Sequence, residues 1–298
     1  METYIDDFIT YIRSVRNYSD YTETNYLIDL DNYSDYLLHE KLDFKRVTYK
    51  DLVLYVKYLK DDRKLNSTSV NRHLSSLRSF YNYMLVKGIV KSNPFKIVGS
   101  QKKEIRLPNY MKYNEFVEMV NSIEDDAFGK RNRAILELLL ATGTRVSELV
   151  SIKINDIDFS RMEIKVRGKG DKDRIVYFNE HALKSLDDYI SFSRLELLKG
   201  KKSEYLFINH LGNPLTTRGI RDIIDRIIRN CSITTKITPH TFRHTFATML
   251  LNEGCDLKSV QELLGHVNLT TTSIYTHLTN DKIKDAYLHS HPRNNIKD

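Results

Sequence analysis

Pro239-His-Thr-Phe-Arg-His-Thr-Phe-Ala247 is the stretch on which the reading of this chain turns. Thr238 can cap a helix, and Pro239 suits its first position, where no N–H is needed. His240 and Arg243 then fall on one face of the first turn. The unpaired N–H groups there carry partial positive charge. A helix start furnished with His and Arg is an anion site. Downstream, Leu263-Leu-Gly-His266 ends a helix near 257–264 and leaves His266 at its exit. Asn268 or Thr270 opens a short helix carrying Tyr275, within Ile274-Tyr-Thr-His277.

Upstream, Ala141-Thr-Gly-Thr-Arg-Val-Ser-Glu-Leu149 breaks a helix near 131–141 and starts another at Arg145. Two arginines on separate elements can grip both non-bridging oxygens of one phosphate, because planar forked donors match that geometry. They also stabilise the charge added in a pentavalent transition state. Met162, Ile164 and Val166 alternate, the turn Gly168-Lys-Gly-Asp-Lys-Asp-Arg174 follows, and Ile175 and Tyr177 alternate again. That is a β-hairpin with a cationic tip. A phenol with a pKa near 10 is only about 0.1% ionised at neutral pH, an obstacle of about 4 kcal/mol. His240 is the candidate base for Tyr275, and His266 a phosphate donor. Lys169, at the hairpin tip, can protonate a leaving alkoxide as general acid.

Each residue has an ordinary reading. Lys169 alone is a turn lysine, Arg145 alone pairs with Glu148, and His244 and His277 are packing or surface residues. The His240 and His244 spacing also fits a zinc helix. However, Thr241 stands where the metalloprotease motif has Glu, and no third ligand is spaced nearby, so no metal is expected. Only together do these residues point to phosphoryl transfer.

The chain has 298 residues, which points to two domains. Its two cysteines, Cys231 and Cys255, lack metal-ligand spacing, and no apolar run reaches membrane-span length. The start Met1-Glu-Thr-Tyr-Ile-Asp-Asp7 is acidic where a signal peptide is basic, so a cytoplasmic, nucleoid-associated protein is expected. Net charge is +7, unevenly spread: residues 1–60 hold 8 Lys/Arg against 11 Asp/Glu, and residues 61–107 hold 10 against 3. The local excess reads as a footprint for a polyanion, or as a solvated basic face. The first hundred residues read as four helices. Thr22 caps the second, Thr48 the third, and Ser67 or Thr68 the fourth, which carries Val70, Leu74, Leu77, Tyr81 and Met84 on one face. Residues 99–108 read as a linker, with cations Lys102 and Lys103 able to follow a phosphate backbone.

These motifs, in this order and spacing over nearly the whole chain, resemble the tyrosine recombinases of the Xer and phage-integrase group. Asn71-Arg-His-Leu74 and Leu77-Arg-Ser-Phe-Tyr81 resemble the matching N-terminal domain. The resemblance implies a mainly α fold with a small β-hairpin or three-stranded sheet (α+β). It implies a SAM-like helical core-binding domain over 1–98 and a catalytic domain over 109–298, forming a C-shaped clamp on DNA. It assigns Arg145, Lys169, His240, Arg243 and His266 to phosphate activation, Tyr275 as nucleophile through a 3′-phosphotyrosyl link, and Glu148 as a supporting residue. No cofactor, metal or ATP is implied. Expected DNA contacts are Arg72, Arg78, Lys102, Lys103, and Arg218 and Arg221 in Thr216-Thr-Arg-Gly-Ile-Arg221. The implied partner is a double-stranded DNA recombination site. A homotetramer on two sites, or a heterotetramer with a paralogous recombinase, would act there, with an accessory DNA translocase as a further partner. A C-terminal helix with Ile283, Ala286, Tyr287 and Leu288 is expected to dock into a neighbour. Thr144 and Tyr177-Phe178 depart from the Xer pattern, so chromosome-dimer resolution, mobile-element integration and inversion all stay open.

Overall fold

The computed structural model describes residues 1–15, 18, 20–101, 110–168, 173–265, 284 and 286–291. The chain divides into two compact units, Met1–Arg106 and Leu107–Asp298. None of the described helices is long and apolar enough to cross a membrane.

The N-terminal unit is built from α1 (Glu2–Ser14), α2 (Asp20–His39), α3 (Tyr49–Asp61) and α4 (Ser67–Val86). Thr48 and Asp51 cap α3 reciprocally. Asn66, one residue before the expected Ser67, caps α4 by accepting the Ser69 N–H at 2.9 Å. The core is unusually aromatic: Phe8, Tyr33, Tyr55, Phe80, Tyr81 and Phe95 are all fully buried. Their edge-on contacts, such as Tyr33–Tyr55 at 4.9 Å, explain why tyrosines concentrate here. Burial leaves the Tyr33, Tyr55 and Tyr81 phenols well above their ordinary pKa, as structural tyrosines.

In the second unit α5 (Tyr113–Asn121) leads to α6 (Ala127–Thr142), the central helix. It starts earlier than the expected 131 because Asp126 accepts the Gly129 N–H at 2.6 Å. Then come α7 (Val146–Ser151) and a three-stranded antiparallel sheet, β1 (Ile157–Asp158), β2 (Glu163–Arg167) and β3 (Asp173–Tyr177). The register sets Ile164 opposite Val176 and Arg167 opposite Asp173. Ile164, Val166 and Val176 are buried, while Lys165 and Arg167 face outward with Asp173. Two helices the sequence reading did not resolve follow, α8 (Glu180–Asp188) and α9 (Arg194–Leu198), joined by a π-helical turn at Tyr189–Ser193. Then come α10 (Thr217–Arg229), α11 (Pro239–Asn252) and α12 (Leu257–Leu264). One apolar cluster runs from Met111 through α6 and the sheet to Phe242, and a smaller one joins Tyr177, Phe246, Leu263, Leu264 and Tyr287. The site lies where these elements end.

Candidate active site

Helix α6 stops at Gly143, whose left-handed φ of 58° ends the ladder while its N–H still bonds Leu139 O. A Cβ there would stand 2.4 Å from Phe246 Cδ1, so α11 packs against the bare backbone. Thr144, a departure from the family pattern, is buried, and its hydroxyl pairs with that of Thr142 at 2.9 Å. The chain then turns extended at Arg145, the N-cap of α7.

Glu148, three residues on, is the hub. Only 4% of its side chain is exposed. Its Oε2 accepts the Arg145 backbone N–H at 2.8 Å, and its Oε1 accepts Arg145 Nη1 at 2.7 Å. Arg174, on β3, grips the same carboxylate with Nη1 and Nη2, each at 2.9 Å. Burial alone would raise the Glu148 pKa. The Arg174 fork and the Arg145 N–H outweigh it and hold the carboxyl at about 2.

Arg243, in the first turns of α11, donates Nη1 to Gly143 O at 2.8 Å and Nη2 to Leu264 O at 2.6 Å. It thereby ties the C-terminal carbonyls of α6 and α12 to one guanidinium. Burial, and then the charge of Arg145, push its pKa down to about 10, so it stays protonated at neutral pH. Thr238 caps α11 through Thr241, and His240 stands exposed at the second helical position. Gly265, the C-cap of α12, has φ 66°, and a Cβ on it would lie 3.0 Å from Arg174 Cδ. Arg174 Nε also points at Leu263 O, 3.4 Å away.

The structure thus brings Arg145 and Glu148, at the start of α7, together with Arg243 of α11. It adds Arg174, which the sequence reading quoted as the last residue of its hairpin motif and gave no role. Arg145 and Arg174 bind one buried carboxylate, and Arg243, held by backbone carbonyls, lies within electrostatic reach of all three, for a local formal charge of +2. Such a cluster suits a phosphate diester with forked donors already oriented. Lys102, Lys103, Lys169, His266, Tyr275 and Ile283 lie outside the described residues.

The expected DNA contacts divide. Arg218 and Arg221 are exposed on the first turns of α10, free to face a ligand. Arg72, whose side chain is half-exposed, and Arg78 have partners within their own unit. Arg72 Nη1 donates to the fully buried Asp29 at 2.7 Å, where Ser76 also donates at 2.8 Å and His73 Nε2 lies 3.0 Å away. Arg78 donates to the carbonyls of Phe95 and Val98, each at 3.1 Å. Neighbouring Asn71 exchanges both amide bonds with the Gln101 backbone. Arg78 and Asn71 thus pin the segment after α4, whereas Arg72 clasps α2.

Of the described residues expected on the C-terminal docking face, Tyr287 packs within its own unit, Ala286 is half-buried and Leu288 is exposed. Tyr287 is fully buried, with ring centroids 6.0 Å from Tyr177 and 6.4 Å from Phe246. His291 Nε2 lies 3.4 Å from Leu140 O. Lys284 bonds Glu163 at 2.8 Å and sits 5.5 Å over the Tyr177 ring. Tyr177, the second departure from the family pattern, is therefore part of this seat.

The chain is similar to known proteins in sequence and in fold. Residues 109–282 match the phage integrase family, and residues 5–88 match its N-terminal SAM-like domain. The chain is 44% identical to the tyrosine recombinase XerC of Anoxybacillus flavithermus, with 96% of each chain covered. Among solved structures it is similar to XerA recombinase, at 29% identity and a TM-score of 0.50, covering 98% of this chain and 99% of that one. A lambda integrase fragment bound as a dimer to a core site matches in fold with a TM-score of 0.70, at 18% identity, over 96% of this chain and 95% of that one.

Proposed function

The chain belongs to the phage integrase family and is a site-specific tyrosine recombinase of the Xer-like kind, and from that premise we propose how its own residues divide the work. Arg145 and Arg243 bind the non-bridging oxygens of the scissile phosphate, with Glu148 orienting Arg145. Tyr275 attacks phosphorus while His240 takes the phenolic proton. The P–O5′ bond breaks and Lys169 protonates the departing 5′-oxygen, leaving a 3′-phosphotyrosyl link and a 5′-hydroxyl. Attack by a 5′-hydroxyl of the partner strand reverses the chemistry and rejoins the DNA. His266 adds a further hydrogen bond to the phosphate. The linkage is isoenergetic enough to be reversible, so neither ATP nor metal enters the scheme.

The observation that carries this reading is the cluster of Arg145 and Arg174 on Glu148 with Arg243 held beside them, a preformed cationic site at the termini of α6, α7, α11, α12 and β3. Arg218 and Arg221 supply further DNA contacts from α10, and Lys102 and Lys103 from the linker, with both units gripping the duplex. Four protomers act on two DNA sites, as a homotetramer or with a paralogous recombinase, and a DNA translocase is the fitting accessory partner.

Covalent trapping tests this. Cells producing the protein are lysed in detergent, the protein is recovered under denaturing conditions, and attached DNA is sequenced. Native protein should carry DNA from one recurrent site, and Tyr275→Phe none. Equal DNA recovery with Tyr275→Phe overturns the assignment. Binding to that site should also weaken steeply with salt, since phosphate contacts dominate such affinity.

A further inference from the structure

We propose that Arg174 is a positioning residue of strand cleavage: by neutralising Glu148 it reserves the charge of Arg145 and Arg243 for the scissile phosphate. This rests on the assignment of those two arginines as phosphate ligands.

Glu148 is needed to hold Arg145, because it accepts both the backbone N–H and the guanidinium of that residue. A buried carboxylate is a poor neighbour for a phosphodiester, however. Alone with Arg145 it would form a closed one-to-one pair, and the guanidinium would be drawn inward by a full opposing charge. Arg174 resolves the conflict. Its fork covers both carboxylate oxygens, at 2.9 Å each. The formal charge around the hub is +2 with Arg174 and would be +1 without it. Two uncompensated positive charges match the total double negative charge of a pentavalent phosphorane, and one matches only that of the ground-state diester.

The side chain is held for this task. It is only 15% exposed. Its stem runs under Gly265, and Nε points at Leu263 O. A single residue therefore touches α7, which Arg145 caps, and the end of α12, which His266 follows in sequence. It also starts from β3, the strand that follows the Lys169 tip. Lysine would bring the charge as a point without the fork.

The experiment uses the full chain and a duplex carrying the trapped site, nicked beside the cleavage point so that the adduct accumulates. Arg174→Met should slow single-turnover adduct formation by about tenfold or more. Affinity for the same duplex should change by less than about threefold, since positioning contacts elsewhere persist. Arg174→Lys should fall between native and Arg174→Met. The decisive comparison is the double variant Arg174→Met/Glu148→Gln. Once the carboxylate charge is gone, its counter-charge is no longer needed, so the double variant should cleave faster than Arg174→Met alone. A 5′-bridging phosphorothioate, whose thiolate leaves without a proton, should restore cleavage to Lys169→Ala and not to Arg174→Met.

Additive losses in the double variant would overturn the proposal, as would rescue of Arg174→Met by the thiolate leaving group or equal losses in affinity and rate. Circular dichroism establishes that each variant is folded, and Arg174→Lys, which keeps the packed stem, carries the test if Arg174→Met is not. Arg145→Ala separates the two levels. If it forms adduct at the native rate, the phosphate-site assignment itself is wrong. If it is inactive while Arg174→Met is unimpaired, only the role of Arg174 falls.

Discussion

Replacing Glu148 with Gln should remove a definite amount of stability with a definite pH profile. The carboxyl is held at about 2 against an ordinary value of 4.5. At about 1.4 kcal/mol per pH unit, that gap corresponds to about 3 kcal/mol of folding free energy at neutral pH. The side chain is nearly fully buried, so solvent screening takes little from the figure. Because the folded pKa is depressed, the contribution is complete above pH 4.5 and fades as pH falls through 2. About 1.5 kcal/mol of it should remain at pH 3. Glutamine keeps the shape and one acceptor oxygen but loses the charge that balances Arg145, Arg174 and Arg243. The assay is urea unfolding of native and variant chains at pH 7 and pH 3 by circular dichroism. Hydrogen exchange of α7 amides assigns the change to the catalytic unit, because two units need not unfold as one. A difference below about 1 kcal/mol at pH 7, or one that does not shrink at pH 3, would refute the hub as described.

Gly143→Ala should cost about 3 kcal/mol, from left-handed strain plus a clash with Phe246, whereas Gly254→Ala, with φ 87° and open space, should cost about 1; thermal unfolding of the two side by side checks the contrast. Tyr287→Ala should undo the packing of residues 286–291, worth about 3 kcal/mol, and limited proteolysis should then cut that segment much faster than in the native chain. Asp29→Ala should destabilise the N-terminal unit by about 2 kcal/mol, since Ser76 and His73 lose their buried partner while Arg72 can turn to solvent; hydrogen exchange should quicken in α2 and α4 and stay unchanged in α6.

The parts of this fold that were legible in the sequence are those written in local chemistry. Thr48, Thr238 and Pro239 mark helix starts because capping is decided within four residues, and Gly143 and Gly265 mark stops because only glycine adopts their backbone freely. The alternation of Ile164 and Val166 announces the hairpin for the same reason. What stayed hidden is decided by contacts between distant segments. Arg174 reads as a strand residue until β3 is laid beside α7, and nothing near it in sequence announces Glu148, 26 residues earlier. Arg72 and Arg78 look like free cations on a basic helix, yet Asp29 lies 43 residues before Arg72, and the carbonyls of Phe95 and Val98 claim Arg78 after a turn of the chain. Tyr177 likewise reads as a strand residue out of pattern until Tyr287 packs on it.

The measurement that bears most directly on the whole account is the identity of the residue joined to DNA. The trapped complex is digested with nuclease and protease, and the peptide retaining a nucleotide is sequenced by mass spectrometry. The account predicts one modified peptide, with a 3′-linked nucleotide on the oxygen of Tyr275. A nucleotide on any other of the 19 tyrosines, or a linkage through the 5′-phosphate, would contradict it.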